Sequence, residues 1–212
     1  MRKKGILLII CLVFGILILS TIFLINFDNA NSYDSNQSNK SFANNSIQTK
    51  ELFSKYEGDS LDKYLISTKN APSESEYIKE LANQITKNKS TTSSKAEAIF
   101  DWVKKNIEYS GYEGDKYGGE GAIKNSRGNC VDTSHALVSL FRAEGIPARY
   151  VYGKCEFVKG NLTGLTVPHV WVQVLIDDEW RVADGIYEEN QLGYVSNWKT
   201  YSYNLYKIYP NL

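Results

Sequence analysis

His169-Val170-Trp171-Val172-Gln173-Val174, then Asp177-Asp178, then Trp180-Arg181-Val182-Ala183-Asp184 is the stretch on which the fold turns. Its first part alternates with a period of two, which predicts a strand. Val170, Val172 and Val174 then share one face and belong to the core. His169, Trp171 and Gln173 share the other. Asp177-Asp178 suits a tight turn, and residues 179–184 return antiparallel. Pairing about that turn puts position 169 near 186, so Asp184 comes within a residue or two of facing His169. Tyr150-Val151-Tyr152-Gly153 reads as another strand. Before it, Ala136, Leu137, Leu140 and Phe141 give a helix face that Gly145-Ile146-Pro147 ends. Helices first and a hairpin-rich sheet afterwards mean an α+β fold.

Further upstream, Ser73 and Glu76 are spaced as a capping box ahead of an apolar stripe of Tyr77, Ile78, Leu81, Ala82 and Ile85. Ser90-Thr91-Thr92-Ser93 breaks that helix. Ser94 and Glu97 are spaced as a second box, followed by Ala96, Ile99, Phe100, Val103 and Ile107. Both helices read as scaffold, with Trp102 packed on them. Residues 51–72 show no convincing period. Residues 109–129 are rich in Tyr and Gly, and a 21-residue irregular stretch in a compact domain is either a functional loop or a missed element. Lying just before Cys130, it is expected to wall a substrate groove.

Cys130 follows Arg127-Gly128-Asn129 at the start of a helix. Unpaired amides and the helix dipole favour a thiolate there. A thiol, an imidazole and a carboxylate in the order Cys130, His169, Asp184 are what nucleophilic thiol catalysis requires. His169 would serve as base and then acid, and Asp184 would fix its tautomer. The backbone N–H of Cys130 is one candidate oxyanion donor, with Tyr109, Tyr112 or another group of the 109–129 loop as a second, and the sequence does not choose among them. His135 lies off the cysteine's helix face and reads as packing, Asp132 as complementing the dipole. Arg149 reads as the partner of an acid or of a substrate carboxylate. No cofactor is called for, and the ligands are too scattered for a metal site.

The formal net charge is zero, and without Arg2, Lys3 and Lys4 the remainder carries −3. That balance does not describe a nucleic-acid binder. Residues 5–25 hold no charge, and at about 1.5 Å per residue they span about 30 Å, the thickness of a bilayer core. With Arg2-Lys3-Lys4 before it, the run reads as an uncleaved single-pass anchor in the cell membrane, with the bulk of the chain extracytoplasmic. Residues 26–50 carry seven Asn and five Ser and read as a flexible tether. Asn36, Asn39, Asn44, Asn88 and Asn161 stand in glycosylation sequons. Cys11 lies in the apolar run. A Cys130–Cys155 bridge would consume the proposed nucleophile. The expected division is 1–25 cytoplasmic tip and anchor, 26–50 tether, 51–94 helical extension and 95–212 catalytic domain.

Gly128-Asn129-Cys130-Val131-Asp132, Gly145-Ile146-Pro147-Ala148-Arg149-Tyr150-Val151 and His169-Val170-Trp171 with Trp180-Arg181-Val182-Ala183-Asp184 together resemble the transglutaminase-like cysteine peptidase superfamily. The resemblance covers about residues 95–209. It implies a papain-like α+β core, with the nucleophile at a helix N-terminus packed on an antiparallel sheet, and a triad of Cys130, His169 and Asp184. Leu192-Gly193-Tyr194-Val195-Ser196-Asn197-Trp198 and Tyr206-Lys207-Ile208-Tyr209-Pro210 resemble the pseudomurein endoisopeptidases of methanogenic archaea and their viruses. Residues 26–94 stand where those enzymes carry wall-binding repeats. The implied function is a membrane-anchored thiol peptidase or isopeptidase acting on peptide cross-links of a cell wall. Acyl transfer that cross-links surface proteins, a non-catalytic binding module and a structural surface protein are the alternatives. The aromatic residues after Asn197 either line the groove or pack.

Overall fold

The structure, a computed structural model, describes residues 54–58 and 60–207. The apolar run 5–25, the tether 26–50 and Cys11 lie outside them. Among the described residues, no helix is long and apolar enough to cross a membrane.

Among the described residues, four α-helices and a five-stranded antiparallel sheet form the domain. The helices are α1 (Glu76–Thr86), α2 (Thr92–Asn106), α3 (Gly118–Asn125) and α4 (Cys130–Ala143). The strands are β1 (Ser54–Lys55), β4 (Ala148–Phe157), β5 (Thr166–Ile176), β6 (Glu179–Ala183) and β7 (Trp198–Tyr206), in the order β1-β6-β5-β4-β7. A separate two-residue parallel pair, β2 (Glu108–Tyr109) with β3 (Arg127–Gly128), sets Tyr109 opposite Gly128.

The hairpin forms as its sequence dictates. Asp177 and Asp178 both have positive φ, 51° and 61°, the conformation that matches the twist of a two-residue hairpin. Ile176 pairs with Glu179 and Val172 with Ala183. Carried three residues further, that register sets 169 opposite 186.

Helix α4 is buried from Val131 to Arg142. Its apolar residues join Ile78 and Ala82 of α1, Ile99, Phe100 and Val103 of α2, and Val170, Val172 and Val174 of β5 in one core. The opposite sheet face is covered as well: Val151, Cys155, Phe157, Trp171, Val182, Val195 and Trp198 form a second cluster. Gly119 permits α3 to lie against α4, since a Cβ there would come within 2.5 Å of Ser139 Oγ and 2.6 Å of the His135 carbonyl.

Several expectations need correction. Neither expected capping box forms. The N-cap of α1 is Ser75, without a side-chain cap. Helix α2 begins earlier than expected, at a box made by Thr91 and Ser94. A serine at the third helical position replaces the usual Glu, because its hydroxyl reaches back to the Thr91 amide. Residues 109–129 are not one loop, since α3 and β3 lie within them. The unreadable segment 51–72 supplies edge strand β1, and Leu61 and Tyr64 pack on Trp180. Helix α2 spans residues 94 and 95, and α1 shares its core with α4.

Candidate active site

Cys130 is the first residue of α4. Asn129 is its N-cap, accepting at Oδ1 from the amides of Val131 and Asp132, both at 3.0 Å. The Asn129 amide group also ties down the preceding loop, donating to the carbonyls of Tyr112 at 3.1 Å and Gly114 at 2.6 Å. The helix start is therefore fixed from both sides, while Cys130 itself stays partly exposed. Neither Cys130 nor Cys155 is in a disulfide.

His169 stands on β5 opposite Gly153 of β4. A Cβ at Gly153 would come within 2.8 Å of the Trp171 ring and 2.5 Å of the Ser202 carbonyl, so no larger residue fits. The imidazole is 2% exposed and surrounded by the rings of Phe157, Trp171 and Trp198. Its Nε2 lies 2.9 Å from Asp184 Oδ2. That contact leaves Nδ1 as the ring nitrogen for the sulfur of Cys130. Burial alone would push the imidazolium down. The Asp184 charge and hydrogen bond, with a hydrogen bond and charge from Cys130, outweigh burial and raise His169 to about 10. The ring thus holds its proton at neutral pH.

Asp184 follows directly on β6 and is 2% exposed. Its Oδ2 accepts a second donor, Trp198 Nε1 of β7, at 2.5 Å, and Oδ1 accepts from the Ile186 amide at 3.3 Å. Asn190 Nδ2 donates to the Asp184 carbonyl at 3.2 Å.

Of the two tyrosines considered as oxyanion donors, Tyr112 is committed elsewhere. Its hydroxyl donates to Asp132 Oδ2 and accepts from the Asn129 amide. Burial, then the Asp132 bond, pushes it up. Tyr109 remains partly open to solvent. Burial raises it, and so do the charges of Cys130 and Asp184, which places its hydroxyl within the field of the site. Tyr152 is raised in the same way, by burial and then Cys130.

Asp132 does more than complement a dipole. Its Oδ1 accepts from the amides of Tyr117 and Gly118, at 3.0 and 2.8 Å, which holds the loop before α3. Burial raises its carboxyl. Asp115, absent from the sequence expectations, stands beside it. A hydrogen bond from His135 lowers Asp115 to about 2. His135 Nδ1 contacts the Tyr150 hydroxyl at 2.8 Å, and its Nε2 lies 3.3 Å from Asp115, so this histidine belongs to a polar network inside the fold. Arg149 donates to Gln173 Oε1 at 2.8 and 2.9 Å and lies 4.1 Å over the Trp180 ring. Among the described residues, no three His, Cys, Asp or Glu side chains are placed to hold a metal ion.

The profile of the transglutaminase-like superfamily matches residues 79–185, half of the chain. The chain belongs to the transglutaminase-like superfamily. An uncharacterised protein of Mycobacterium leprae is 31% identical over 83 residues, covering 37% of this chain and 30% of its own length. The crystal structure of a "putative cysteine protease" from Cytophaga hutchinsonii superposes with a TM-score of 0.52 at 23% identity, over 68% of this chain and 54% of that one. The periplasmic domain of TgpA from Pseudomonas aeruginosa gives 0.41 at 18% identity, over 52% of this chain and 42% of that one. The likeness to the Cytophaga structure establishes the fold. The chain spans about half of the Cytophaga protein and less than a third of the mycobacterial one.

Proposed function

We propose that this chain is a membrane-anchored, extracytoplasmic thiol peptidase or isopeptidase whose triad is Cys130, His169 and Asp184. The observation that carries the reading is the 2.9 Å contact of His169 Nε2 with Asp184 Oδ2, made by a histidine that also bonds to a cysteine at a helix start. Asp184 fixes the tautomer and supports the imidazolium. The Cys130 thiolate attacks an amide carbon, and the carbonyl oxygen becomes an oxyanion. His169 then gives its proton to the leaving amine, and a thioester remains. Water, deprotonated by His169, resolves it to a carboxylate and restores the thiolate beside the imidazolium.

Two donors serve the oxyanion in this account. Asn129 caps the next two amides and leaves that of Cys130 to the site. The Tyr109 hydroxyl, within the field of Cys130, is the second. Peptide cross-links of a pseudomurein-like cell wall are the proposed substrate. The apolar run 5–25 and the resemblance of residues 192–198 and 206–210 to pseudomurein endoisopeptidases support the location and the substrate. Acyl transfer to an amine shares every step up to the thioester.

The test incubates the reduced full chain with isolated pseudomurein and with bacterial peptidoglycan, and follows released amines, with Cys130→Ala as control. Release from pseudomurein that vanishes in the variant supports the proposal. No release from either wall, with an added amine instead joined to a glutamine peptide, moves the activity to acyl transfer.

A further inference from the structure

Trp198 opens the last strand, in a part of the chain whose aromatic residues have no stated task. It is 2% exposed, and its ring lies 4.6 Å from that of Trp171 and 5.6 Å from His169. Packing alone accounts for a buried indole, but not for where its one polar atom points. Nε1 donates at 2.5 Å to Asp184 Oδ2, the same oxygen that His169 Nε2 contacts at 2.9 Å. Beside the imidazole, the Ile186 amide offers the carboxylate only a long bond at Oδ1, 3.3 Å, a weak restraint on rotation about Cβ–Cγ. With the indole donor fixed by two aromatic neighbours, Oδ2 is held in one place.

We propose that Trp198 is a positioning residue of this site, its indole N–H fixing the Asp184 carboxylate against His169. The proposal rests on the reading of Cys130, His169 and Asp184 as a triad. Trp198 touches no substrate and acts through Asp184. Loss of its N–H leaves the carboxylate, apart from the imidazole, with the long Ile186 bond to Oδ1, and so weakens support for the imidazolium. Hydrogen bonds to charged groups are worth about a tenfold change in such an equilibrium. The other titratable groups that feel Cys130 or Asp184 are Tyr109, Tyr152 and Cys155. Burial pushes all three up, so none of them changes charge in the acidic to neutral range.

The test is the pH profile, from about 5 to 11, of Cys130 alkylation by iodoacetamide in the full chain, resolved from Cys155 by peptide mass spectrometry. It requires no knowledge of the substrate. Trp198→Phe keeps an aromatic ring and removes the donor. It should bring down by about one pH unit the alkaline step at which the imidazolium is lost, from about 10 in wild type, while alkylation near pH 6, where the ring stays charged, remains close to wild type. Asp184→Ala should move it at least as far, and the double variant no further than Asp184→Ala. A merely structural tryptophan would lower stability without moving the profile. The proposal is overturned if Trp198→Phe superimposes on wild type while Asp184→Ala shifts, or if the two effects add. If wild-type Cys130 reacts no faster than an unstructured thiol and Asp184→Ala changes nothing, the triad reading fails as well. Should Trp198→Phe not fold, the indole N–H signals of 15N-tryptophan-labelled protein decide. One of the four should lie downfield and move in Asp184→Ala, and four unmoved signals would overturn the proposal.

Discussion

Replacing Asn129 by Ala removes four hydrogen bonds in one step. Two are the caps of α4, from the amides of Val131 and Asp132. Two are the anchors of the preceding loop, to the carbonyls of Tyr112 and Gly114. Asn129 is 3% exposed, so water does not replace them freely. An N-cap lost to Ala costs about 1 kcal/mol, and each buried loop anchor about as much again. The whole change should therefore destabilise the domain by about 3 kcal/mol, or about 6–12 °C in Tm for a domain of this size. Thermal melts followed by circular dichroism measure it. Asn129→Ser keeps the cap acceptor and gives up only the loop anchors, so it should lose about 2 kcal/mol. Because Cys130 is the next residue, alkylation of its thiol should slow in Asn129→Ala more than in Asn129→Ser. A drop below about 2 °C for Asn129→Ala, or a larger drop for Asn129→Ser than for Asn129→Ala, would refute the reasoning.

Three other outcomes follow from the same structure. His169 is raised above its unfolded value of about 6.5 to about 10, so its contribution to stability is full below about pH 6.5 and fades as pH rises toward 10. Urea midpoints across that window should fall in wild type and fall less in Asp184→Ala, and equal slopes would count against the His169–Asp184 pair. Gly119→Ala pushes a Cβ into Ser139 Oγ and the His135 carbonyl, and should cost about 2 kcal/mol in a denaturant titration, whereas Gly121→Ala meets only the Tyr117 Cβ at 3.2 Å and should cost far less. Tyr109→Phe should reduce turnover about tenfold or more with little change in Tm, and unchanged turnover would assign the second oxyanion donor elsewhere.

The sequence made the sheet core legible and left much of its surroundings dark. Period-two alternation and the Asp177-Asp178 turn were enough to set position 169 near 186, the register that the structure shows. The start of α4 was legible because Asn129 is a strong N-cap and Gly145-Ile146-Pro147 is a clear stop. Helix α3 was not, since Gly118-Gly119-Glu120-Gly121 is a poor helix former. Packing of Gly119 on α4, visible only in three dimensions, holds it. The Thr91–Ser94 box was passed over for a Ser–Glu pair of conventional spacing. The aromatic tail contained β7, whose alternation was interrupted by Lys199, Thr200 and Ser202. The contact of Trp198 with Asp184, like that of Asp115 with His135, joins residues that no local pattern links.

The central claim is that His169 activates the Cys130 thiol. Its most direct test is the iodoacetamide rate of Cys130 at neutral pH, measured beside Cys155 in the same chain and again in His169→Ala. Cys130 should react at least about tenfold faster than a free thiol and fall to the free-thiol rate in the variant, while buried Cys155 stays unlabelled in both. Equal Cys130 rates in wild type and His169→Ala would contradict the account.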